Sequence, residues 1–403
     1  MRVPLGLRLP LIGRLQSSTS AWLRRPLAAA HEADGMGFLH GLGALAKPAN
    51  NVAAWHPGAL PRGSEASPLA LPVRGAAPRG RQRRPPVRTD GARLGLVVEG
   101  GGMRGCVSAG ALLALRALGL PRVFDAVYGA SAGAINATYY LADQPEGESI
   151  YYDHIAHPDF LSLRRLWRAA SAGAPPALNL GMLIDTVMET VLPLAWERVL
   201  RSWPPLKIVA SDLDSLAPVM LDAFESKEDL KACLRASATV PELAGEPVAC
   251  RGMRLVDAAV FEAVPFRTAI ADGCTHVLVL SSRPRPSPRG SARATIDEAL
   301  EAVVKRALLS PEYMAPAWRA EAEALVHDGL SPDHQLLEAL DPAVQDPAAR
   351  PWFAGAHVYP VYPGPAAGFS PMCTDTRTLR AGIEAGRRAV LATLQPILLG
   401  LVA

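Results

Sequence analysis

Residues 94–105 read Leu94-Gly-Leu-Val-Val-Glu-Gly-Gly-Gly-Met-Arg-Gly105, a short apolar run followed by a cluster of glycines. The apolar run predicts a buried strand over residues 94–99. Apolar side chains then recur at helical spacing over residues 104–118, which predicts a helix directly after the glycines. Glycine allows a sharp turn at this junction, and it lets an anion approach the backbone beside the positive end of the helix.

Two functional interpretations of the glycine turn compete. Gly100, Gly102 and Gly105 have the spacing of a dinucleotide fingerprint, and the turn also suits an oxyanion hole, in which N–H groups face a developing alkoxide. A dinucleotide site needs an acidic residue at the end of the second strand, whereas Asp125 precedes the apolar part of that strand. We therefore favour the oxyanion hole over a dinucleotide site and over a glycine turn without a ligand.

The second motif is Gly129-Ala-Ser-Ala-Gly133, which has the form G-x-S-x-G. It lies between a predicted strand, Phe124–Tyr128, and a predicted helix, Ser131–Leu141, which is the context of a nucleophile elbow. The tight turn of an elbow requires small neighbours, and the four residues around Ser131 are Gly or Ala. The alternative is that Ser131 only caps its helix.

A nucleophilic serine needs a base, and Asp257 is the best-placed candidate. It follows a short predicted strand, and the small residues Ala258 and Ala259 permit close approach. By itself, an aspartate that caps the next turn would be the simpler interpretation. The downstream histidines do not lie in a loop typical of a catalytic triad; they are His154, His157, His276, His327, His334 and His357.

The order of predicted elements indicates an α/β fold, with a mainly parallel central sheet and helices on both faces. Further strands are predicted at Leu206–Ala210, Val219–Asp222, Arg254–Val256 and His276–Leu280, and further helices at Asp185–Val199, Ser226–Ala236 and Pro265–Asp272. A Pro-rich stretch at 283–289 marks the predicted end of a catalytic domain over residues 93–283. Residues 284–403 are predicted as a mainly helical appendage packed on the core, with helices near 294–308, 313–328 and 376–396 and an apolar segment at 356–362.

The N-terminal region differs in composition from the rest of the chain. Residues 1–93 carry 14 Lys and Arg but only 4 Asp and Glu, although the whole chain has a formal net charge of +3. Residues 1–31 are rich in Arg and hydroxyl side chains and lack acids before Glu32, which predicts an organelle transit peptide, chloroplast or mitochondrial. The alternatives are a disordered basic tail in a cytoplasmic protein and an over-extended reading frame. The Pro/Gly/Arg-rich residues 32–92 are predicted to be a disordered linker.

Several function classes are disfavoured by composition. The five cysteines form no CxxC pair, which argues against a zinc site, a disulfide framework and secretion. The basic stretch lacks interleaved aromatic residues, so we expect no nucleic-acid partner. No apolar run approaches the ~20 residues of a membrane span, so any membrane contact is expected to be peripheral.

Together these motifs resemble the patatin-like phospholipase family, whose pattern is G-G-G-x-[KR]-G, then G-x-S-x-G, then D-G-[GA]. The segment Ala236-Ser-Ala-Thr-Val-Pro241 is similar to the A-S-A-x-x-P segment of that family, and residues 124–163 are similar to its bacterial-type branch. The resemblance covers residues 93–283. One departure is Ala258, where the family has Gly; a positive φ at this position would strain an alanine backbone.

The resemblance implies a serine acyl hydrolase that needs no metal or cofactor. Its substrate would be a fatty-acyl ester of a glycerolipid, such as a phospholipid or lysophospholipid, or a galactolipid in a plastid. The alternatives are an acyltransferase that uses the same acyl-enzyme and a catalytically impaired lipid-binding or regulatory protein. The implied site residues are the nucleophile Ser131, its base Asp257, the oxyanion-hole residues Gly100, Gly101, Gly102, Arg104 and Gly105, and the elbow glycines Gly129 and Gly133.

Two further apolar stretches, Leu161–Trp167 and Leu178–Leu183, are predicted to belong to the core and to a lid. The alternatives for them are an acyl channel and contact with a bilayer.

Overall fold

The structure, a computed structural model, describes residues 91–162, 165, 176–241, 243–285, 332–340 and 352–402. The predicted transit peptide, residues 32–90 of the predicted linker, and the predicted helices at 294–308 and 313–328 lie outside the described residues. Among the helices of the described part, none is long and apolar enough to cross a membrane.

A mixed sheet forms the centre of the fold, and its middle strands are parallel, as predicted. The described residues contribute nine strands: β1 (Leu94–Val98), β2 (Ala126–Ala130), β3 (Leu206–Asp212), β4 (Ala217–Leu221), β5 (Val248–Cys250), β6 (Met253–Val256), β7 (His276–Leu280), β8 (Trp352–Phe353) and β9 (Ala356–Val361). Their order is β5-β6-β3-β2-β1-β7-β9-β8, and β4 also pairs with β3. Strands β3, β2, β1, β7 and β9 are mutually parallel, whereas β4, β5, β6 and β8 pair antiparallel.

Helices cover both faces of this sheet. The α-helices of the described residues are α1 (Gly105–Ala117), α2 (Ala132–Leu141), α3 (Trp196–Leu200), α4 (Lys227–Ala238), α5 (Phe266–Ala271), α6 (Pro332–Ala339) and α7 (Thr376–Val402). A 3-10 turn at Gly102–Arg104 directly precedes α1. A further 3-10 turn at Ala258–Val260 and π-helical segments at Ile150–His154 and Met182–Val191 lie between later helices.

Alternate residues of the central strands pack into two separate cores. Leu96 and Val98 of β1 belong to the core that contains α1, α2, α4 and α7, whereas Val97 belongs to the core that contains α5 and part of α6. Successive side chains of a strand point to opposite faces, so a strand buried on both faces reads as a continuous apolar run. This is why the run at residues 94–98 carries no polar alternation.

The bounds of several predicted elements differ in the structure, and two of these differences have a clear physical reason. The strand predicted at Phe124–Tyr128 is shifted to Ala126–Ala130, because its pairing with β3 continues to the register Ala130–Val209. The helix predicted at Asp185–Val199 is wrong as a single element: a π-helix over Met182–Val191 ends before Pro193, and α3 begins at Trp196. Proline lacks an N–H and disfavours helical geometry in the residue before it.

The C-terminal residues take part in the same sheet. The apolar segment predicted at 356–362 forms β9, which pairs parallel with β7. Helix α7 lies against α1 at a distance that leaves no room for side chains at two glycines. A Cβ atom on Gly110 would overlap with the carbonyl of Ile383, and one on Gly386 would overlap with the carbonyl of Val107. Helix α1 begins at the glycine turn, so this contact supports the position of that turn.

Replacing Gly386 by alanine should therefore destabilise the fold although alanine is the better helix former. Overpacking costs about 1–3 kcal/mol, and the gain in helix propensity returns at most ~1 kcal/mol. We expect a net loss of roughly 1–2 kcal/mol in the free energy of unfolding, measured by denaturant titration. Ala381→Leu, at an exposed position of the same helix, keeps a good helix former and is the control, which should change stability little. A Gly386→Ala variant as stable as the wild type would contradict this packing.

Candidate active site

Ser131 lies at a strained turn between β2 and α2. Its backbone has φ 51° and ψ −125°, in a region that non-glycine residues rarely adopt, at a cost of about 1–3 kcal/mol. The elbow glycines Gly129 and Gly133 allow this turn to pack closely. A Cβ on Gly129 would lie 2.5 Å from the Cα of Ala134, and one on Gly133 would overlap with the carbonyl of Val98. The local geometry is that of a nucleophile elbow.

Asp257 is hydrogen-bonded to this serine. The Oγ of Ser131 donates to Oδ2 of Asp257 at 2.7 Å. The other carboxylate oxygen, Oδ1, accepts the N–H of Ala259 at 2.8 Å, and the N–H of Asp257 donates to the carbonyl of Thr239 at 2.8 Å. The structure thus brings together the two residues that the sequence singled out, although 126 positions separate them along the chain.

The carboxyl of Asp257 is buried, being 2% exposed. Burial raises its pKa from 3.8 to about 6, and the hydrogen bonds from Ala259 and Ser131 oppose that rise. A carboxylate with a pKa near the working pH is a better general base than an ordinary aspartate, because it holds a transferred proton more readily.

The backbone of Ala258 is not strained, because the positive φ that would strain an alanine does not occur at this position. Positive φ values occur at Ser131 and at five other non-glycine residues of the described ranges, and Ala258 is not among them. It begins the 3-10 turn Ala258–Val260 and is fully buried against Ala130 and Val209. The methyl group that distinguishes this chain from the family pattern therefore fills space in a small apolar cluster.

Ser237 holds the backbone of the elbow, a role that the sequence did not indicate. The N–H of Ser131 donates to Oγ of Ser237 at 2.8 Å, and this hydroxyl donates in turn to the carbonyl of Val209 at 2.6 Å. Ser237 lies in the last turn of α4, two residues before Thr239, whose carbonyl holds Asp257. The sequence contained one signal that could have pointed to Ser237. The segment Ala236–Pro241 resembles a family motif, but no role was assigned to it.

The glycine turn presents backbone N–H groups beside Ser131. Gly101 and Gly102 have φ values of 122° and 59°, which glycine adopts without strain. The N–H of Met103 donates to the carbonyl of Pro371 at 2.8 Å, and the N–H of Arg104 donates to the carbonyl of Gly101 at 3.1 Å. Among the backbone hydrogen bonds outside helices and strands of the described residues, none has the N–H of Gly101 or Gly102 as donor.

The five predicted oxyanion-hole residues fall into two groups. Gly101, Gly102 and Arg104 line the cavity that contains Ser131, whereas Gly100 and Gly105 are not among its lining residues. A Cβ on Gly100 would lie 2.7 Å from the carbonyl of Ala130, and one on Gly105 would overlap with the hydroxyl of Tyr151. These two glycines are therefore required by close packing. The N–H of Gly105 donates within the turn, to the carbonyls of Gly102 and Met103.

A mostly apolar cavity of about 200 Å³ opens at Ser131. The predicted apolar stretches contribute to its wall, and the turn Pro371–Met372, which carried no sequence signal, completes it. None of the histidines in the described part of the chain lines it. Its apolar lining residues are Met103, Ala132, Ile135, Ile150, Ile155, Phe160, Leu161, Ala177, Leu178, Leu180, Leu183, Ala238, Val240, Pro241, Leu243, Ala259, Val260, Ala263, Pro371 and Met372.

Comparison with known proteins gives matches of different coverage. The Escherichia coli (strain K12) protein YjjU is 26% identical over 197 residues, which are 48% of this chain and 52% of YjjU. This chain therefore matches about half the length of that relative. VipD from Legionella pneumophila has a TM-score of 0.34 at 12% identity, over 75% of this chain and 67% of VipD. Human GIVD cytosolic phospholipase A2 has a TM-score of 0.34 at 15% identity, over 78% of this chain and 60% of the human chain.

The family comparison concerns the part of the chain that carries the three motifs. The sequence pattern of the family described as "Patatin-like phospholipase" matches residues 96–270, a range that includes the glycine turn, Ser131 and Asp257. Over residues 96–270, this chain is similar to the patatin-like phospholipase family.

Proposed function

We propose that this chain is a serine acyl hydrolase that cleaves fatty-acyl esters of glycerolipids through a Ser131–Asp257 dyad. The observation that carries the proposal is the 2.7 Å hydrogen bond from Ser131 Oγ to Asp257 Oδ2 at the wall of an apolar cavity. The catalytic unit would be residues 93–283, completed by the Pro371–Met372 turn.

The proposed reaction has two steps, acylation of Ser131 and hydrolysis of the acyl-enzyme. In each step, Asp257 first takes up a proton and then gives it away. Asp257 Oδ2 takes the proton of Ser131 Oγ while this oxygen attacks the ester carbonyl, and the N–H groups of Gly101 and Gly102 stabilise the oxyanion. The proton then passes to the departing alcohol, which leaves an acyl group on Ser131. Water attacks that acyl group, Asp257 takes a proton from the water, and Ser131 regains its proton as the fatty acid leaves.

The cavity wall supports an acyl chain as the group that binds. Twenty of the lining residues carry apolar side chains, whereas five carry polar ones: Arg104, Ser131, Tyr151, Asp257 and Arg283. Burial of methylene groups against such a wall is favourable by about 0.8 kcal/mol for each group. The same argument favours phospholipid or lysophospholipid esters over small polar esters.

Removal of either dyad member should abolish hydrolysis. We expect Ser131→Ala and Asp257→Asn to lower kcat/KM by about a thousandfold or more on p-nitrophenyl acyl esters and on phospholipids, because nucleophile and base act as a unit. The measurement is release of p-nitrophenol and of fatty acid by the full chain.

Ser215→Ala and Asp214→Asn are the matched controls, since both residues are exposed and lie in the turn after β3, outside the cavity. They should keep wild-type rates. An inert wild type would favour the lipid-binding alternative, and acyl transfer to an added alcohol or lysolipid, in place of fatty-acid release, would favour the acyltransferase.

The rate should depend on the ionisation of Asp257. Its pKa of about 6 lies above the ordinary value, so the base becomes protonated and inactive as the pH falls through about 6. We expect log kcat/KM to fall with a slope near one below this pH, in a stopped assay with buffers of constant ionic strength. An activity that stays constant down to about pH 4.5 would contradict a buried base.

Filling the cavity should shift the preference towards short acyl chains. Leu178→Trp adds bulk at a half-buried position of the cavity wall. We expect kcat/KM for the palmitoyl ester to fall by about tenfold or more relative to the butyryl ester, which corresponds to ~1.4 kcal/mol. Leu178→Met, which nearly conserves volume, is the control. An equal loss on both esters would show that the acyl chain does not lie against Leu178.

A further inference from the structure

The carboxylate of Glu99 lies buried directly before the glycine turn. Its Oε2 accepts the hydroxyl of Ser281 at 2.6 Å and the N–H of Ser282 at 2.7 Å, and its own N–H donates to the carbonyl of Leu280 at 3.1 Å. Only 2% of Glu99 is exposed. These bonds connect the end of β1 to the end of β7, one residue before Gly100.

The remaining carboxylate oxygen is held by a residue from a distant part of the chain. Nε2 of His334, in α6, lies 2.9 Å from Oε1 of Glu99, and Nε of Arg283 lies 3.5 Å from the same oxygen. Burial would raise the pKa of Glu99, but His334 and Arg283 outweigh it and lower the value to about 2. An ionised carboxylate only accepts hydrogen bonds, so Nε2 of His334 is the donor.

Helix α6 has a second, separate anchor at the neighbouring residue. Oδ1 of Asp333 forms a 2.7 Å ion pair with the guanidinium of Arg267, which lies in α5. Asp333 and His334 are 1% and 5% exposed, so both side chains enter the core from adjacent positions of one helix. Of these two residues, His334 is the one whose side chain lies at hydrogen-bond distance from Glu99, the residue that precedes the glycine turn. Because the two anchors use different residues, variants can test the contact with Glu99 separately from the docking of α6.

The conformation of the glycine turn depends on where it begins. Gly100, Gly101 and Gly102 together have more accessible backbone conformations than any other residue type would, so their order has to be imposed from their ends. At the far end, Met103 donates to the carbonyl of Pro371. At the near end, the carbonyl of Glu99 accepts the hydroxyl of Ser108 at 3.3 Å, while its carboxylate carries the bonds described above.

We infer that His334 is a positioning residue that acts through Glu99 to hold the N–H groups of Gly101 and Gly102 at the site of the oxyanion. His334 itself does not line the cavity. The catalytic part of this inference rests on the proposed function, whereas the structural part, order in the glycine turn, does not. The contact thus links a helix in the C-terminal part of the chain to transition-state stabilisation.

Two measurements on the full chain test this inference. His334→Leu removes the donor, and we expect kcat to fall by about 10- to 100-fold while KM changes less than twofold, because a displaced oxyanion donor affects the transition state more than the bound substrate. Deuterium exchange of the peptide that contains residues 100–104 should become faster. His334→Gln restores an N–H donor, and it should recover most of both losses.

Asp333→Asn is the matched control, because it weakens the docking of α6 without touching Glu99. It should leave kcat and the exchange of residues 100–104 near wild type. An equal fall of kcat in Asp333→Asn and His334→Leu, or unchanged exchange in His334→Leu, would overturn the inference. If His334→Leu does not fold, His334→Ala replaces it with the same expected results. If the wild type is inert, the proposed function fails, and the exchange measurement still decides the positioning role.

Discussion

The site depends on the close contact between the turns that follow β1 and β2. These strands are adjacent and parallel, so both turns emerge at the same edge of the sheet. A Cβ on Gly133 would overlap with the carbonyl of Val98, and one on Gly100 would lie 2.7 Å from the carbonyl of Ala130. The absence of side chains at these positions brings Ser131 beside the glycine turn, and the cavity forms around that contact.

Two unfavourable features persist at this contact because the surrounding structure supports them. The backbone of Ser131 is strained, and the carboxyl of Asp257 is buried with a raised pKa. Ser237 accepts the N–H of Ser131, and the carbonyl of Thr239 accepts the N–H of Asp257, so the end of one helix holds both residues of the proposed dyad. A strained backbone persists only where many surrounding contacts fix the local geometry.

The sequence predicted what depends on local pattern. The apolar runs predicted β1 and β7, and the G-x-S-x-G motif predicted the elbow at Ser131. Asp257 was singled out only in combination with the other motifs, and the structure places it within hydrogen-bond distance of Ser131. Contacts across long sequence separations were not predictable. His334 was assigned only to a C-terminal appendage, yet it lies 2.9 Å from Glu99, and the Pro371–Met372 turn lines the cavity without any motif. The continuous helix predicted at 185–199 was wrong because apolar periodicity outweighed the break at Pro193.

The central claim is that Ser131 is an activated nucleophile, and covalent labelling tests it most directly. The folded chain is incubated with an alkyl fluorophosphonate, and the adduct is located by mass spectrometry of the digested protein. A single adduct on the peptide that contains Ser131, formed much more slowly in the Asp257→Asn variant, is the predicted result. No adduct on a folded chain, or an adduct on another serine, would contradict the account.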